Sequence, residues 1–173
     1  MEQIQVKPTL GFSEAITTAL NRFLDIEGRS RRSEYWWSML VIIIAGLIIK
    51  PVIGKFFYNL FLLGMRTPLS IRRLHDIGRS GWWWGVYLIY YIGSIIYVLF
   101  MLNNATGHLT LYSIIEIYQA TDDFEYTGWV AAELFYNFIL FIFFCLDSEK
   151  DRNKYGESPK YVVIKPTLNN NMG

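Results

Sequence analysis

Four stretches of this chain are almost free of charged side chains, and they constrain its fold more than any other feature. They predict membrane-spanning helices at about 34–50, 55–71, 82–102 and 129–146. The third contains 21 consecutive uncharged residues, which as a helix would be about 31 Å long and enough to cross a bilayer. The third and fourth are apolar on every side, whereas a water-soluble helix shows a polar face. We therefore expect an all-α polytopic integral membrane protein with a single membrane domain over residues 1–173.

The first two stretches allow two interpretations. The apolar run Trp36–Ile49 reaches only about 21 Å as a helix, and Lys50 and Pro51 separate it from the second stretch. Either the two stretches form a helical hairpin, or a single span is followed by an interfacial or re-entrant piece. A hairpin would turn through Lys50, Pro51, Gly54 and Lys55, because proline lacks a backbone donor and glycine tolerates turn geometry.

The positions of the basic residues favour the hairpin. Of the 16 Lys and Arg, five precede the first span, four lie at the end of the second span or between it and the third, and five come after the fourth. By contrast, the segment 103–128 has four acids and no Lys or Arg. Basic residues accumulate on the cytoplasmic side of inner membrane proteins. Four crossings with both termini in the cytoplasm satisfy this rule, with 103–128 as an outer loop and 147–173 as a cytoplasmic tail.

The N-terminal segment predicts an amphipathic helix over residues 12–24. Its apolar residues have helical spacing, and a basic segment comes next. This helix would lie on the cytoplasmic membrane surface or pack against the protein's own loops. No apolar signal-peptide core is visible in the first thirty residues, so we expect no cleaved leader.

Composition narrows the function classes. A net charge of +1 gives no reason to expect a nucleic-acid partner. The single cysteine, Cys145, excludes a disulfide framework and a thiolate zinc site. We expect no metal and no cofactor.

Three motifs carry a resemblance to a known family. They are Gly28-Arg29-Ser30-Arg31-Arg32-Ser33-Glu34-Tyr35-Trp36, Arg72-Arg73-Leu74-His75-Asp76-Ile77-Gly78-Arg79-Ser80-Gly81-Trp82 and Asn153-Lys154-Tyr155-Gly156-Glu157-Ser158-Pro159. In this order they resemble the bacterial inner-membrane family catalogued as domain of unknown function 805 (DUF805), over roughly residues 12–159. The resemblance implies a small polytopic membrane protein. It implies no biochemical activity, and the segment 103–128 lies outside the motifs.

The cytoplasmic arginines are the first candidate site. Guanidinium groups bind lipid phosphates, and here they alternate with acids, which favours a fixed ion-pair network over a diffuse basic surface. We expect Glu34 to bond Arg72 or Arg73, and Asp76 to pair with arginines of its own loop or of the first motif. The candidates for binding lipid or a partner are Arg29, Arg31, Arg32, Glu34, Arg72, Arg73, His75, Asp76 and Arg79.

Two other groups have competing interpretations. His75 and Asp76 could form a proton-transfer pair, although adjacent helical residues point about 100° apart, so a structural role is favoured. Glu133 and Asn137 lie four residues apart within the fourth span. An ionisable residue there is a functional candidate by default, for example as an ion or proton site, but one near the outer end can also reach water.

These observations lead to one main functional hypothesis and two alternatives. The main one is a non-enzymatic envelope component of the bacterial inner membrane that binds lipid headgroups or a membrane partner through its arginine network. The partner can be a second copy of this chain or another membrane protein. The first alternative is a small oligomeric transporter or channel. The second is a membrane enzyme that uses His75 and Asp76.

Overall fold

The computed structural model describes residues 3–106 and 127–164. These residues are mostly helical, as expected, and also contain one small sheet. The elements in chain order are β1 (Gln3–Val6), α1 (Phe12–Asn21), α2 (Arg32–Asp76), α3 (Trp82–Thr106), α4 (Thr127–Cys145) and β2 (Tyr161–Ile164).

Helix α2 is a hairpin of two antiparallel limbs, 32–53 and 55–76, which reverses at Gly54. A straight helix of this length would hold its ends about 66 Å apart. Instead, the Ser30 backbone N–H donates to the Arg72 carbonyl at 3.1 Å. Farther along, a Cβ at Gly46 would lie 2.9 Å from the Tyr58 ring. Gly54 has φ +74°, a conformation that favours glycine, and it lies inside the predicted turn.

Length and composition support a membrane crossing for one described helix. The segment Arg32–Gly54 is the one stretch of the described residues that is long and apolar enough to span a bilayer, and Ala131–Cys145 is a shorter apolar helix. The other predicted crossings therefore stay predictions. The expected outer loop is shorter than 103–128, because 103–106 continue α3 and 127–128 begin α4. The rest of that loop lies outside the described residues.

The outward faces of the helices are strongly apolar. Eight large side chains on them expose more than 60% of their area: Leu47, Ile48, Val52, Trp82, Ile89, Phe100, Leu134 and Phe135. Exposed apolar surface on this scale is unfavourable in water and favourable in lipid.

Helix α1 packs on the α2 hairpin through Ala15, which is fully buried. The Phe12 ring meets Trp37 edge-on at a centroid distance of 5.4 Å. The helix ends at Asn21 rather than at residue 24. Just after this end, Arg22 Nη2 forms an ion pair with Asp25 Oδ2 at 2.8 Å.

The two-stranded sheet corrects the all-α expectation. Strands β1 and β2 pair antiparallel, with Gln3 opposite Ile164 and Val6 opposite Tyr161. The predicted tail 147–173 therefore contains a strand. Segments of four residues are too short to show a periodic pattern, and each pairs with a distant part of the chain.

The buried core lies near the ends of the helices that carry the charged motifs. Trp84 anchors it, since its indole N–H donates to the Thr67 hydroxyl at 3.0 Å. The Tyr136 hydroxyl donates to the Trp83 carbonyl and fixes α4 against α3. The core residues are Tyr35, Met39, Ile42, Leu69, Leu74, Ile77, Trp84, Leu140 and Phe144.

Candidate functional site

Asp76, at the end of α2, is the centre of a fully buried ion-pair cluster. Its Oδ1 accepts from Arg29 Nε at 3.1 Å, and its Oδ2 accepts from Arg73 Nη1 at 2.5 Å. The Ser148 hydroxyl donates to the same Oδ2. Because the side chains of all three charged residues are at most 1% exposed, the charges interact strongly and depend on one another. Asp76 was expected to pair with arginines of its own loop or of the first motif, and the structure shows one partner from each.

Arg29 uses the rest of its guanidinium to hold the chain after α4. Its Nη1 donates to the carbonyls of Asp151 at 2.9 Å and Gly156 at 3.2 Å. Its Nη2 donates to the carbonyls of Glu149 at 2.6 Å and Asp76 at 3.2 Å. A planar group with five N–H donors can make this set of bonds, and a lysine ammonium cannot.

Arg73 caps the C-terminal end of α4. Its Nε donates to the Phe144 carbonyl at 3.3 Å, and its Nη2 donates to the Leu146 carbonyl. The last carbonyls of a helix lack partners within the helix and carry partial negative charge. Arg73 therefore donates hydrogen bonds to carbonyls at the end of α4 and compensates the negative charge of Asp76 at the same time.

Burial shifts the pKa of both Asp76 and Arg73 in the direction that favours the neutral form. It raises the pKa of Asp76, whereas the Ser148 hydrogen bond and the charges of Arg73 and Arg29 lower it. Burial also lowers the pKa of Arg73, against the attraction of Asp76. The cluster therefore tolerates its buried charges only while all its members are present.

A second buried ion pair joins the two limbs of α2. Arg72 Nη2 lies 3.3 Å from Glu34 Oε1, and the two side chains are 1% and 3% exposed. Glu34 stands at the start of the first limb and Arg72 near the end of the second. The contact predicted between Glu34 and Arg72 or Arg73 is therefore found, with Arg72 as the partner.

His75 and Asp76 do not form a proton-transfer pair. The Asp76 carboxylate is engaged by Arg29, Arg73 and Ser148, while His75 Nδ1 lies 3.1 Å from the Gly28 carbonyl oxygen. A carbonyl can only accept, so Nδ1 carries a proton. Burial lowers the pKa of His75, and nearby Lys154 adds to this, while the Gly28 bond opposes it. Neutral His75 therefore presents Nε2 as a hydrogen-bond acceptor.

The third motif closes over His75. The Tyr155 ring stacks on the imidazole at a centroid distance of 3.6 Å and an angle of 6°. Asn153 Nδ2 donates to the His75 carbonyl at 2.9 Å and to Glu149 Oε2 at 2.7 Å. Asn153 Oδ1 accepts from the Tyr155 N–H at 2.9 Å. The three motifs therefore meet in space.

Residue-level reasoning missed four members of this site: Ser148, Glu149, Asn153 and Tyr155. The Asn-x-Tyr-Gly spacing of the third motif was the available signal for two of them. Ser148 and Glu149 stand outside every motif, and only the three-dimensional structure brings them to the cluster.

The remaining candidate arginines lie around the cluster. Arg31 is buried and its Nη2 reaches the Lys7 carbonyl at 3.4 Å. Arg32 is exposed and pairs with Asp147 at 3.2 Å. Arg79 is exposed and its Cζ lies 5.4 Å from the Phe143 ring centroid.

Beside the cluster lies a cleft of about 670 Å³. Its lining combines the polar residues Glu27, His75 and Lys154 with the apolar residues Ile71 and Trp82. Gly81 lines the cleft without filling it, whereas a Cβ there would lie 2.9 Å from Ile71 Cγ2 and 3.3 Å from His75 Nε2. An amphipathic molecule would find both of its required surfaces here.

Glu133 and Asn137 are not part of this cluster. Asn137 Nδ2 donates to the Glu133 carbonyl within α4 at 2.9 Å, so the amide serves its own helix. The Glu133 side chain lines a different cavity with Arg66. Within residues 3–106 and 127–164, no group of three His, Cys, Asp or Glu residues is placed to hold a metal ion.

Comparison with known proteins agrees with the motifs. The family model described as Protein of unknown function (DUF805) matches residues 23–157. Inner membrane protein YhaI of Escherichia coli (strain K12) is 33% identical over 99 residues, which cover 52% of this chain and 84% of that protein. Inner membrane protein YhaH of the same strain is 34% identical over 100 residues, which cover 50% and 83%. No solved structure matches. The chain therefore belongs to the DUF805 family, and its three motifs are the segments that meet at the buried Asp76 cluster.

Proposed function

We propose that this chain is a multi-pass protein of the bacterial inner membrane, with four crossings and both termini in the cytoplasm. The names of its relatives, the apolar helix faces and the distribution of Lys and Arg support this topology. The α2 hairpin supports two of the crossings, because its limbs are antiparallel. Cysteines placed at Ile53 and Ile115 should both react with a membrane-impermeant reagent from outside. Labelling of position 53 from the cytoplasm alone would contradict the topology.

We further propose that the cleft binds a phospholipid headgroup, and that the protein acts by binding rather than by catalysis. The single observation that carries this proposal is the combination of polar and apolar residues in the lining of the cleft. Lys154 supplies a cation for the phosphate, while Ile71 and Trp82 suit the glycerol backbone and upper acyl chain.

The chemistry of His75 selects among headgroups. Its Nε2 is available as a hydrogen-bond acceptor because Nδ1 is engaged by Gly28, and Glu27 adds an acidic residue to the same lining. The headgroup should therefore carry a donor beyond its phosphate. The ammonium of phosphatidylethanolamine fits both groups best, and the hydroxyls of phosphatidylglycerol fit less well.

In this proposal the buried arginines position the cleft instead of gripping lipid. Arg29, Arg72 and Arg73 have at most 1% of their side chains exposed, and their partners are internal. Arg29 holds the segment that carries Lys154 and Tyr155. The lipid-facing cation is then Lys154, which composition alone does not distinguish from other lysines.

Lipid retention tests the binding role. The protein is reconstituted in nanodiscs with equal phosphatidylethanolamine and phosphatidylglycerol, and bound lipids are counted by native mass spectrometry. Lys154→Gln should weaken retention about tenfold, as expected for the loss of one charge-assisted hydrogen bond. Glu27→Gln should reduce the preference for phosphatidylethanolamine. The exposed Lys150→Gln removes the same charge elsewhere and serves as the control. Equal retention by the Lys154 and Lys150 variants would refute the proposal.

A second candidate function is transport of a small solute by an assembly of copies of this chain. The observation that favours it is a polar cavity enclosed among three helices. Flux into proteoliposomes, compared between the wild type and Glu133→Gln, tests it. Flux that does not differ from protein-free vesicles would contradict it.

A further inference from the structure

A polar cavity lies among the second limb of α2, helix α3 and helix α4. Its volume is about 300 Å³, and it is separate from the cleft that contains His75. Its lining includes the polar residues Asn59, Arg66, Tyr87, Tyr90, Tyr91, Ser94 and Glu133. Such a set of groups is unusual inside helices whose outer faces are apolar, because polar groups within a membrane are costly and tend to be functional.

The packing of α3 places the two charged groups at a similar depth. The indole of Trp84 bonds Thr67, the neighbour of Arg66, and the Arg66 Cζ lies 5.5 Å from the Trp84 ring centroid. On the other side, Tyr136 bonds the Trp83 carbonyl, and Glu133 lies one turn away, about 4.5 Å along α4. Arg66 and Glu133 therefore enter the cavity from opposite helices near the same turn of α3.

Asn59 extends the polar lining away from this pair of charges. It lies seven residues before Arg66 on the same limb, or about 10 Å along the axis. The cavity is therefore elongated, with a cation and an acid toward one end and an amide toward the other. The Nε of Arg66 is buried and has no hydrogen-bond partner among the described residues.

The balance of charge restricts what the cavity can hold. A simple anion would be attracted by Arg66 and repelled by Glu133. A simple cation would be attracted by Glu133 and repelled by Arg66. Arg66 and Glu133 are both half-buried, and together they carry no net charge. A ligand with one carboxylate and one ammonium compensates both groups and leaves the site neutral.

We propose that this cavity binds a small zwitterion of the amino-acid class. The carboxylate meets the Arg66 guanidinium, where a planar donor pair suits two oxygens. The ammonium meets Glu133, and the amide end of the cavity accommodates the side chain. The volume is at the lower end of ligand pockets, which fits a molecule of this size. This inference deepens the second candidate function, transport, and takes its physiological meaning from that function. Binding, and not flux, tests the inference.

Calorimetry on the detergent-solubilised protein tests the site with glycine, L-serine and L-leucine. We expect saturable binding of at least one of them, and a loss of tenfold or more in affinity in both Arg66→Gln and Glu133→Gln. The exposed variants Lys150→Gln and Glu14→Gln should bind as the wild type does. Absence of binding by all three amino acids, or unchanged affinity in either cavity variant, would overturn the proposal.

Ligand analogues keep the test decisive if a cavity variant does not fold. For leucine, N-acetyl-L-leucine lacks the ammonium and L-leucinamide lacks the carboxylate. Both should bind the wild type at least tenfold more weakly than L-leucine. An analogue that binds as well as the parent would show that Arg66 and Glu133 do not read the two charges, and would refute the zwitterion class. Binding without flux would reject transport and leave the site intact.

Discussion

Replacement of Asp76 by Asn removes one charge from the centre of the buried cluster and leaves its shape unchanged. Two guanidinium groups, those of Arg29 and Arg73, then stay buried without an acid between them. Removal of one partner from a buried ion pair costs about 3–5 kcal/mol. Because Asp76 compensates two arginines, we expect a loss near the upper end, a large share of the roughly 5–15 kcal/mol that stabilises a typical domain.

Unfolding in mixed micelles, monitored by tryptophan fluorescence, measures this loss. A matched control is Glu157→Gln, which removes an acid from an exposed pair with Arg152, where the atoms are 3.6 Å apart and both side chains are 76% exposed. The control should change the free energy of unfolding by less than about 1 kcal/mol. If Asp76→Asn is no more destabilising than this control, the cluster does not hold the three motifs together.

The same site supports three further predictions. Gly78→Ala should destabilise the protein by about 1–3 kcal/mol in the same assay, because φ at Gly78 is +71° and the new Cβ would overlap the Glu149 carboxylate. The control Gly64→Ala places its Cβ in open space and should not destabilise the protein. Arg29→Lys should cost about 2 kcal/mol or more, because a lysine cannot replace its carbonyl bonds, and a melting temperature equal to wild type would argue against this role. Burial lowers the pKa of His75 below its usual 6.5, so the unfolded chain binds this proton first and stability should fall as pH drops below about 6.5. His75→Gln should flatten that slope in melting temperatures measured between about pH 7 and 5, and an unchanged slope would exclude His75 as its source.

Local sequence patterns predicted much of the helical framework. The reversal of α2 occurs at Gly54 because one glycine comes after Pro51 between two apolar runs, and such a turn depends on few residues. The pairings of Asp76 and of Glu34 were also predictable in part, because a buried acid near several arginines needs a cation. The number of membrane crossings stays a prediction.

The parts that the sequence could not supply depend on contacts between distant segments. The sheet joins residues near both ends of the chain, and the cleft requires Lys154 to lie beside His75. Neither contact produces a periodic pattern in the sequence, because the packing of the helices determines which residues meet.

The sequence by itself determined that this is a helical chain with apolar stretches separated by basic and acidic segments, since charge and hydropathy act locally along the chain. Only the tertiary structure decided which arginines face inward. Arg29 and Arg73 are buried against Asp76 whereas Arg32 and Arg79 are exposed, although all four stand in motifs of similar composition. The physical reason is that burial of a charge is set by the three-dimensional position of its partner, and the partner of Arg29 stands 47 residues away in the chain.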